Sequence, residues 1–174
     1  MTAPTTARQA PPAGRYAIDP AGSSVTFVTR HMFGLAPVRG TIAVTSGTLA
    51  VAGTAEDSSA EATMAAATFS TRNLMRDPQV RSRLFLHVRR YPAISFRSTA
   101  IRPSGDGWTV SGVLTVKEQP APVELAVTDV STEGSTLVLR ASGTVDRYAH
   151  GITALRGMAA RHLSVQVTIR ATRA

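Results

Sequence analysis

The sequence predicts an all-β, largely antiparallel fold with one short helical insert, on three observations. From residue 16 onward apolar residues recur with a period of two, clusters of turn residues separate the alternating runs, and only the stretch between Asp77 and Pro92 departs from that period. The first fifteen residues, MTAPTTARQAPPAGR, hold three prolines and no large apolar residue after Met1, which predicts a disordered tail at 1–15 and one domain over 16–174. In the first strand Val25, Phe27 and Thr29 alternate with Thr26, Val28 and Arg30, after a turn at Asp19-Pro20-Ala21-Gly22. A second strand places Val38, Gly40, Ile42 and Val44 on one face and ends at Thr45-Ser46-Gly47. Two further strands are expected over Ala62–Phe69 and Ile94–Ile101. Between them Asp77 precedes Pro78 as an N-cap before a first-turn proline, and Val80, Leu84 and Val88 follow every four residues. A helix of two or three turns is expected there, stopped by Pro92 because Tyr91 before it is pushed toward extended backbone. Trp108, Val110, Gly112, Leu114 and Val116 share a face of the next strand, after Pro103-Ser104-Gly105-Asp106-Gly107. Val123, Leu125 and Val127 follow, then Leu137, Leu139, Ala141 and Val145, with Ser131-Thr132-Glu133-Gly134 between. Leu163, Val165, Val167 and Ile169 make the last alternation. About eight such strands suit a closed barrel or a two-sheet sandwich, and periodicity alone leaves both open.

Composition narrows the chemistry. A chain of 174 residues is one domain by length, and with no cysteine it has no disulfide framework, thiolate metal site or thiol nucleophile. No segment reaches the apolar length of a membrane helix. The absence of a leader-like segment predicts a cytoplasmic protein, or a periplasmic or extracellular one if a leader has been removed. The formal charge of +8 comes from 18 arginines and Lys117 against 11 acidic residues, which raises a polyanion partner as one reading and genome-wide arginine bias as the other. His31, His87, His150 and His162 match no metal-ligand spacing, so no metal or other cofactor is expected. Asp129 and Asp146 alone stand where a carboxylate could join a site, and no hydrolase, phosphate-loop or dinucleotide motif accompanies them. No enzyme is expected. Residues 72–97 hold seven arginines against one aspartate, with Phe85, Tyr91 and Phe96 interleaved. That pattern reads either as a surface for single-stranded nucleic acid or anionic headgroups, or as a cap with Val80, Leu84, Phe85 and Val88 covering one end of a barrel. Arg76 and Asp77 are expected to form a local ion pair.

Several of these stretches together resemble a known family. Phe69-Ser70-Thr71-Arg72-Asn73, Arg76-Asp77, Val80-Arg81-Ser82, Phe85 and Tyr91-Pro92-Ala93-Ile94-Ser95-Phe96 are similar to the signature of the YceI-like, lipocalin-like polyisoprenoid-binding proteins. So are Tyr16-Ala17-Ile18-Asp19-Pro20, Ser24-Val25-Thr26-Phe27, His31, Val38-Arg39-Gly40, Gly112-Val113-Leu114-Thr115-Val116 and Asp146-Arg147-Tyr148-Ala149-His150-Gly151, so that the resemblance runs over about residues 16–172. The sequence departs from the pattern at Glu118-Gln119-Pro120-Ala121-Pro122, at Gln79 where a His is usual, and at Leu84 where an Asp is usual.

The resemblance implies an eight-stranded antiparallel lipocalin-like barrel with a helical flap, binding a long-chain isoprenoid or fatty lipid for transport or storage without catalysis. Homodimers are common among such proteins, and nucleic acid is not their expected partner. It assigns Asp19, His31, Arg76, Asp77, Arg81, Pro92 and Arg147 to structural motifs. Strand parity then draws the ligand wall from Phe27, Ile42, Phe69, Phe85, Phe96, Val110, Leu114, Leu125, Leu139, Val145, Val165 and Val167. The surplus arginines Arg83, Arg89 and Arg90 have no place in that account.

Overall fold

The computed structural model describes residues 10–31, 36–156 and 158–174, with the side chains of Arg30, His31 and Ala36 outside that description. The expected motif role of the His31 side chain therefore falls outside the described residues. The described residues form nine β-segments: β1 (Gly14–Ile18), β2 (Ser24–His31), β3 (Ala36–Val51), β4 (Ser59–Ser70), β5 (Ala93–Ser104), β6 (Gly107–Val116), β7 (Gln119–Glu133), β8 (Thr136–Asp146) and β9 (His162–Arg173). Helix α1 (Arg76–Arg81) lies between β4 and β5, and a 3-10 turn (Arg147–His150) follows β8. No helix among the described residues is long and apolar enough to cross a membrane.

Every strand pairing is antiparallel, and the order β3-β2-β9-β8-β7-β6-β5-β4 closes when β4 pairs back onto β3. Closure decides for the barrel over the sandwich and leaves no continuous free edge. β1 adds no ninth position. Tyr16 pairs with Leu49 of β3 and Arg173 of β9, whereas Val25 of β2 pairs with Ile42 and Val167 on the same two neighbours. β1 and β2 are therefore one barrel strand broken at the Asp19 turn, where the Asp19 carboxylate accepts from the Ala21 amide at 3.1 Å. The break is spanned by β9: the Asp19 amide donates to the Arg170 carbonyl at 2.7 Å, and the Arg170 amide donates to Ser23 Oγ at 3.0 Å. Because β1 starts at Gly14, the boundary expected after residue 15 falls within a strand. Tyr16 is 1% exposed and its hydroxyl donates to the Pro12 carbonyl at 2.8 Å.

The two ends of the barrel differ. One, the turn end, is made by the segment 52–58, the turns 105–106 and 134–135, and both chain ends of the barrel. The other, the loop end, carries the long connections 71–92 and 147–161 and the tight β6–β7 turn. That turn puts Lys117 at φ 54° and Glu118 at φ 60°, so both central residues sit in the left-handed region that usually selects Asn and Gly. Pro120 and Pro122 are tolerated just beyond it, because β7 pairs with β8 only from Leu125 onward and their missing amides interrupt no ladder there.

The insert differs from expectation. α1 has only six residues, and Ser82 is already extended. The Val80-Leu84-Val88 spacing therefore does not lie on a helix: the chain turns back at His87 (φ 48°), with the Leu86 amide donating to Val80 O and the Val88 amide to Arg81 O. Leu84, expected to cover the barrel, is exposed, while Val80, Phe85, Leu86 and Val88 pack on the core. Asp77 is not the N-cap either, since it lies within the first turn and Met75 holds the cap position without a side-chain bond. Asn73 does that work, its Oδ1 accepting from the Met75 and Arg76 amides at 3.0 and 2.8 Å.

Candidate functional site

A cavity of about 450 Å³ runs along the barrel. Inward positions of β2–β9 line it because alternate residues of every pleated strand point the same way. All twelve residues of the expected wall border it: Phe27, Ile42, Phe69, Phe85, Phe96, Val110, Leu114, Leu125, Leu139, Val145, Val165 and Val167. The sequence reading missed others on the same surface, including Leu49, Met64, Ile94, Ile101, Val130 and Ile152.

Two inward glycines give the aromatic rings room. Gly40 pairs with Phe27, and a Cβ there would run into the Phe27 ring. Freed by that gap, Phe27 stacks on Phe69 with ring centres 4.9 Å apart and planes 17° from parallel. Gly112 lies beside a bulge in β5, where a Cβ would meet the Phe96 ring and the Arg97 carbonyl at 2.6 Å each.

Among the described residues, polar and charged side chains border the cavity toward its ends. Thr29, Thr71, Arg76, Gln79, Arg147 and His150 border it at the loop end, and Thr54, Ser58, Ser59 and Glu61 toward the turn end. Arg147 is buried, and burial lowers the pKa of its guanidinium. It has no carboxylate partner among the described residues and instead donates to three carbonyls: Nε to Ala160 at 2.9 Å, Nη1 to Ile152 at 2.9 Å and Nη2 to Ala159 at 3.1 Å. The guanidinium also sits 5.7 Å from the Phe85 ring centre, so one side chain links both loop-end connections. Buried His150 donates from Nδ1 to the Gln119 carbonyl at 2.8 Å.

Asp77, Arg76, Arg81 and Pro92 make their described contacts within the chain itself. Burial opposes ionisation of Asp77, but the Thr71 hydroxyl and amide, the Asn73 amide and the Arg81 charge outweigh it and hold its carboxyl below the usual value. Those bonds measure 2.5 Å from Thr71 Oγ1, 3.0 Å from Thr71 N and 3.3 Å from Asn73 N. The expected Arg76–Asp77 ion pair is absent, because Arg76 Nη1 donates to Thr71 Oγ1 at 3.1 Å while Asp77 turns toward backbone amides. Arg81 caps the end of β4 through two bonds to the Phe69 carbonyl, at 3.0 and 2.5 Å. The Pro92 carbonyl accepts from the Ala66 amide at 2.9 Å. Asp146 forms a two-point pair with Arg161 at 2.9 and 2.8 Å, and that hydrogen bond lowers its pKa to about 2.

Of the three aromatics interleaved in 72–97, Phe85 and Phe96 face the cavity, and Tyr91 sits on the flap against His87 and Arg90. No group of three metal-capable side chains converges among the described residues.

The sequence profile described as the YceI-like domain matches residues 16–172. The crystal structure of Burkholderia cenocepacia BcnA superposes with a TM-score of 0.77 at 25% identity, over 89% of this chain and 99% of that one. A Saccharophagus degradans structure, described as a polyisoprenoid binding domain implicated in plant cell wall breakdown, gives 0.70 at 13% identity over 91% and 98% of the two chains, a likeness of fold. UPF0312 proteins of Yersinia pestis and Yersinia pseudotuberculosis are 38% identical over 55 residues, 32% of this chain and 29% of theirs. The matched region is thus less than a third of those relatives' length.

Proposed function

This chain belongs to the YceI-like family, and from that membership we propose that its barrel binds a long-chain isoprenoid or similar lipid and carries or sequesters it without catalysis. The observation that carries the reading is the cavity itself: about 450 Å³, apolar along its middle and polar toward its ends. Such a wall suits an extended hydrocarbon chain, whose affinity needs few directed contacts. Each buried methylene contributes about 0.8 kcal/mol, so ten of them supply about 8 kcal/mol before ordering costs. At the loop end His150 and the Arg147 region are the groups suited to a polar head. The likeness to a structure described as a polyisoprenoid binding domain supports an isoprenoid over other apolar ligands.

Native mass spectrometry and solvent extraction of the purified protein test this. A co-purifying long-chain lipid, or uptake of a polyprenyl probe by emptied protein, is the expected result. Neither appearing would overturn the carrier reading.

A further inference from the structure

The largest exposed apolar side chains among the described residues gather at one place. Leu74 is 94% exposed, Met75 88%, Leu84 57%, Met158 48% and Leu155 36%. All five lie on the two connections that cap the loop end, 71–92 and 147–161. Side chains this apolar are not left in water across several turns without a partner.

Charge follows the same division. The segments 71–92, 117–118 and 146–161 hold nine arginines and Lys117 against Asp77, Glu118 and Asp146, a net +7 of the chain's +8. At the turn end, the segments 51–59, 104–107 and 133–136 hold Glu56, Asp57, Asp106 and Glu133, against Arg15 and Arg173 at the chain ends of the barrel. The molecule is therefore polarised along the barrel, positive at the loop end. Arg81, Arg147 and Arg161 are occupied by carbonyls or by Asp146. Arg72, Arg83, Arg89, Arg90 and Arg156 are exposed, and none has a carboxylate partner among the described residues. They interleave with the apolar group in sequence: Arg72 with Leu74 and Met75, Arg83 with Leu84, Arg156 between Leu155 and Met158.

We propose that the loop end docks on anionic lipid bilayers, with Leu74, Met75, Leu84, Leu155 and Met158 entering the interface and the exposed arginines meeting the headgroups. Exposed apolar side chains beside unpaired cations are what an acidic lipid surface accepts together: hydrocarbon below, phosphate around it. A nucleic acid offers the charge without an apolar layer. Docking would set the loop end of the barrel on the membrane and assign work to Arg83, Arg89 and Arg90. Its biological use rests on the lipid-carrier reading, but binding to the bilayer does not.

The test is sedimentation of the full chain with phosphatidylcholine vesicles, with and without phosphatidylglycerol. Binding is expected only with the anionic lipid, and it should fall steeply with salt. Neutralising Arg83, Arg89 and Arg90 to Gln should weaken it about a hundredfold, at about fivefold per arginine. Changing Leu74, Met75 and Leu84 to Ser should weaken it at least about tenfold, with the melting temperature unchanged because these side chains are exposed. Absence of vesicle binding overturns the proposal. So does binding that needs the arginines but ignores the three Ser changes, which would assign a polyanion site, or Ser changes that alter only the oligomeric state, which would assign the patch to a second copy. Protein that carries lipid but ignores vesicles refutes docking alone. Protein that binds vesicles yet never carries lipid refutes the carrier alone.

Discussion

Replacing Val167 by Phe separates a hollow barrel from a filled one, because the two respond with opposite signs. Val167 lies on β9 between Val25 of β2 and Ala141 of β8, borders the cavity, and keeps part of its surface free although it points inward. The change adds four carbons, about 50 Å³, to a space of about 450 Å³. In a hollow barrel the ring enters empty volume, and at about 24 cal/mol per Å³ of cavity removed it stabilises by up to about 1 kcal/mol. The melting temperature should hold or rise by about 2–4 °C. A lipid loses room for about two methylenes, near 1.6 kcal/mol, so its affinity should fall about 15-fold. The assay pairs thermal unfolding of lipid-free protein with titration of a fluorescent polyprenyl probe, with Gln166→Phe on the exposed face as a control. A melting temperature lowered to match the overpacking cost of about 1–3 kcal/mol would mean the barrel is already filled. An unchanged probe affinity would refute the cavity as the binding site.

Other outcomes follow from single residues. Arg147→Met strands three carbonyls and releases the 147–161 connection, so a loss of about 3–5 kcal/mol in denaturant unfolding is expected. Gly112→Val drives a side chain into the Arg97 carbonyl, which cannot swing away, and should cost about 1–3 kcal/mol in the same measurement. Glu118→Gly relieves a left-handed residue in the β6–β7 turn and should stabilise by about 1 kcal/mol in thermal unfolding. The carboxyls of Asp77 and Asp146 are both depressed in the folded protein, so their contribution is present above the unfolded value near 3.8 and drains as pH falls below it, for Asp146 toward about 2. Unfolding free energy measured between pH 5 and pH 2 should decline less steeply in Asp146→Asn, which also starts lower, by about 1 kcal/mol or less for so exposed a pair.

What sequence periodicity conveyed, and where it stopped, has one geometric cause. Strands β6, β8 and β9 keep a single parity from end to end, and their inward faces were legible from Trp108–Val116, Leu137–Val145 and Leu163–Ile169 alone. In β3 the register shifts between Val44 and Ser46, so the inward set passes from Val38, Ile42 and Val44 to Leu49 and Val51. The shift between Ser98 and Ala100 likewise takes β5 from Ile94 and Phe96 to Ile101, and the one between Val127 and Asp129 takes β7 from Leu125 to Val130. A bulge inserts one residue and flips every later side chain, so a strict period of two loses the strand at that point.

The sequence by itself determined most of the strand content, twelve of the residues that border the cavity and the basic character of the flap, because alternation and charge are local properties of the chain. Only the tertiary structure decided that the sheet closes, that β1 and β2 share one barrel position, and that α1 ends after six residues. It alone showed that buried Arg147 satisfies its charge on the carbonyls of Ile152, Ala159 and Ala160. It also gathered Leu74, Met75, Leu84, Leu155 and Met158 at one end of the barrel. Those outcomes depend on pairings between residues far apart in the chain, where the free energy of closing a sheet overrides the preference of any short segment.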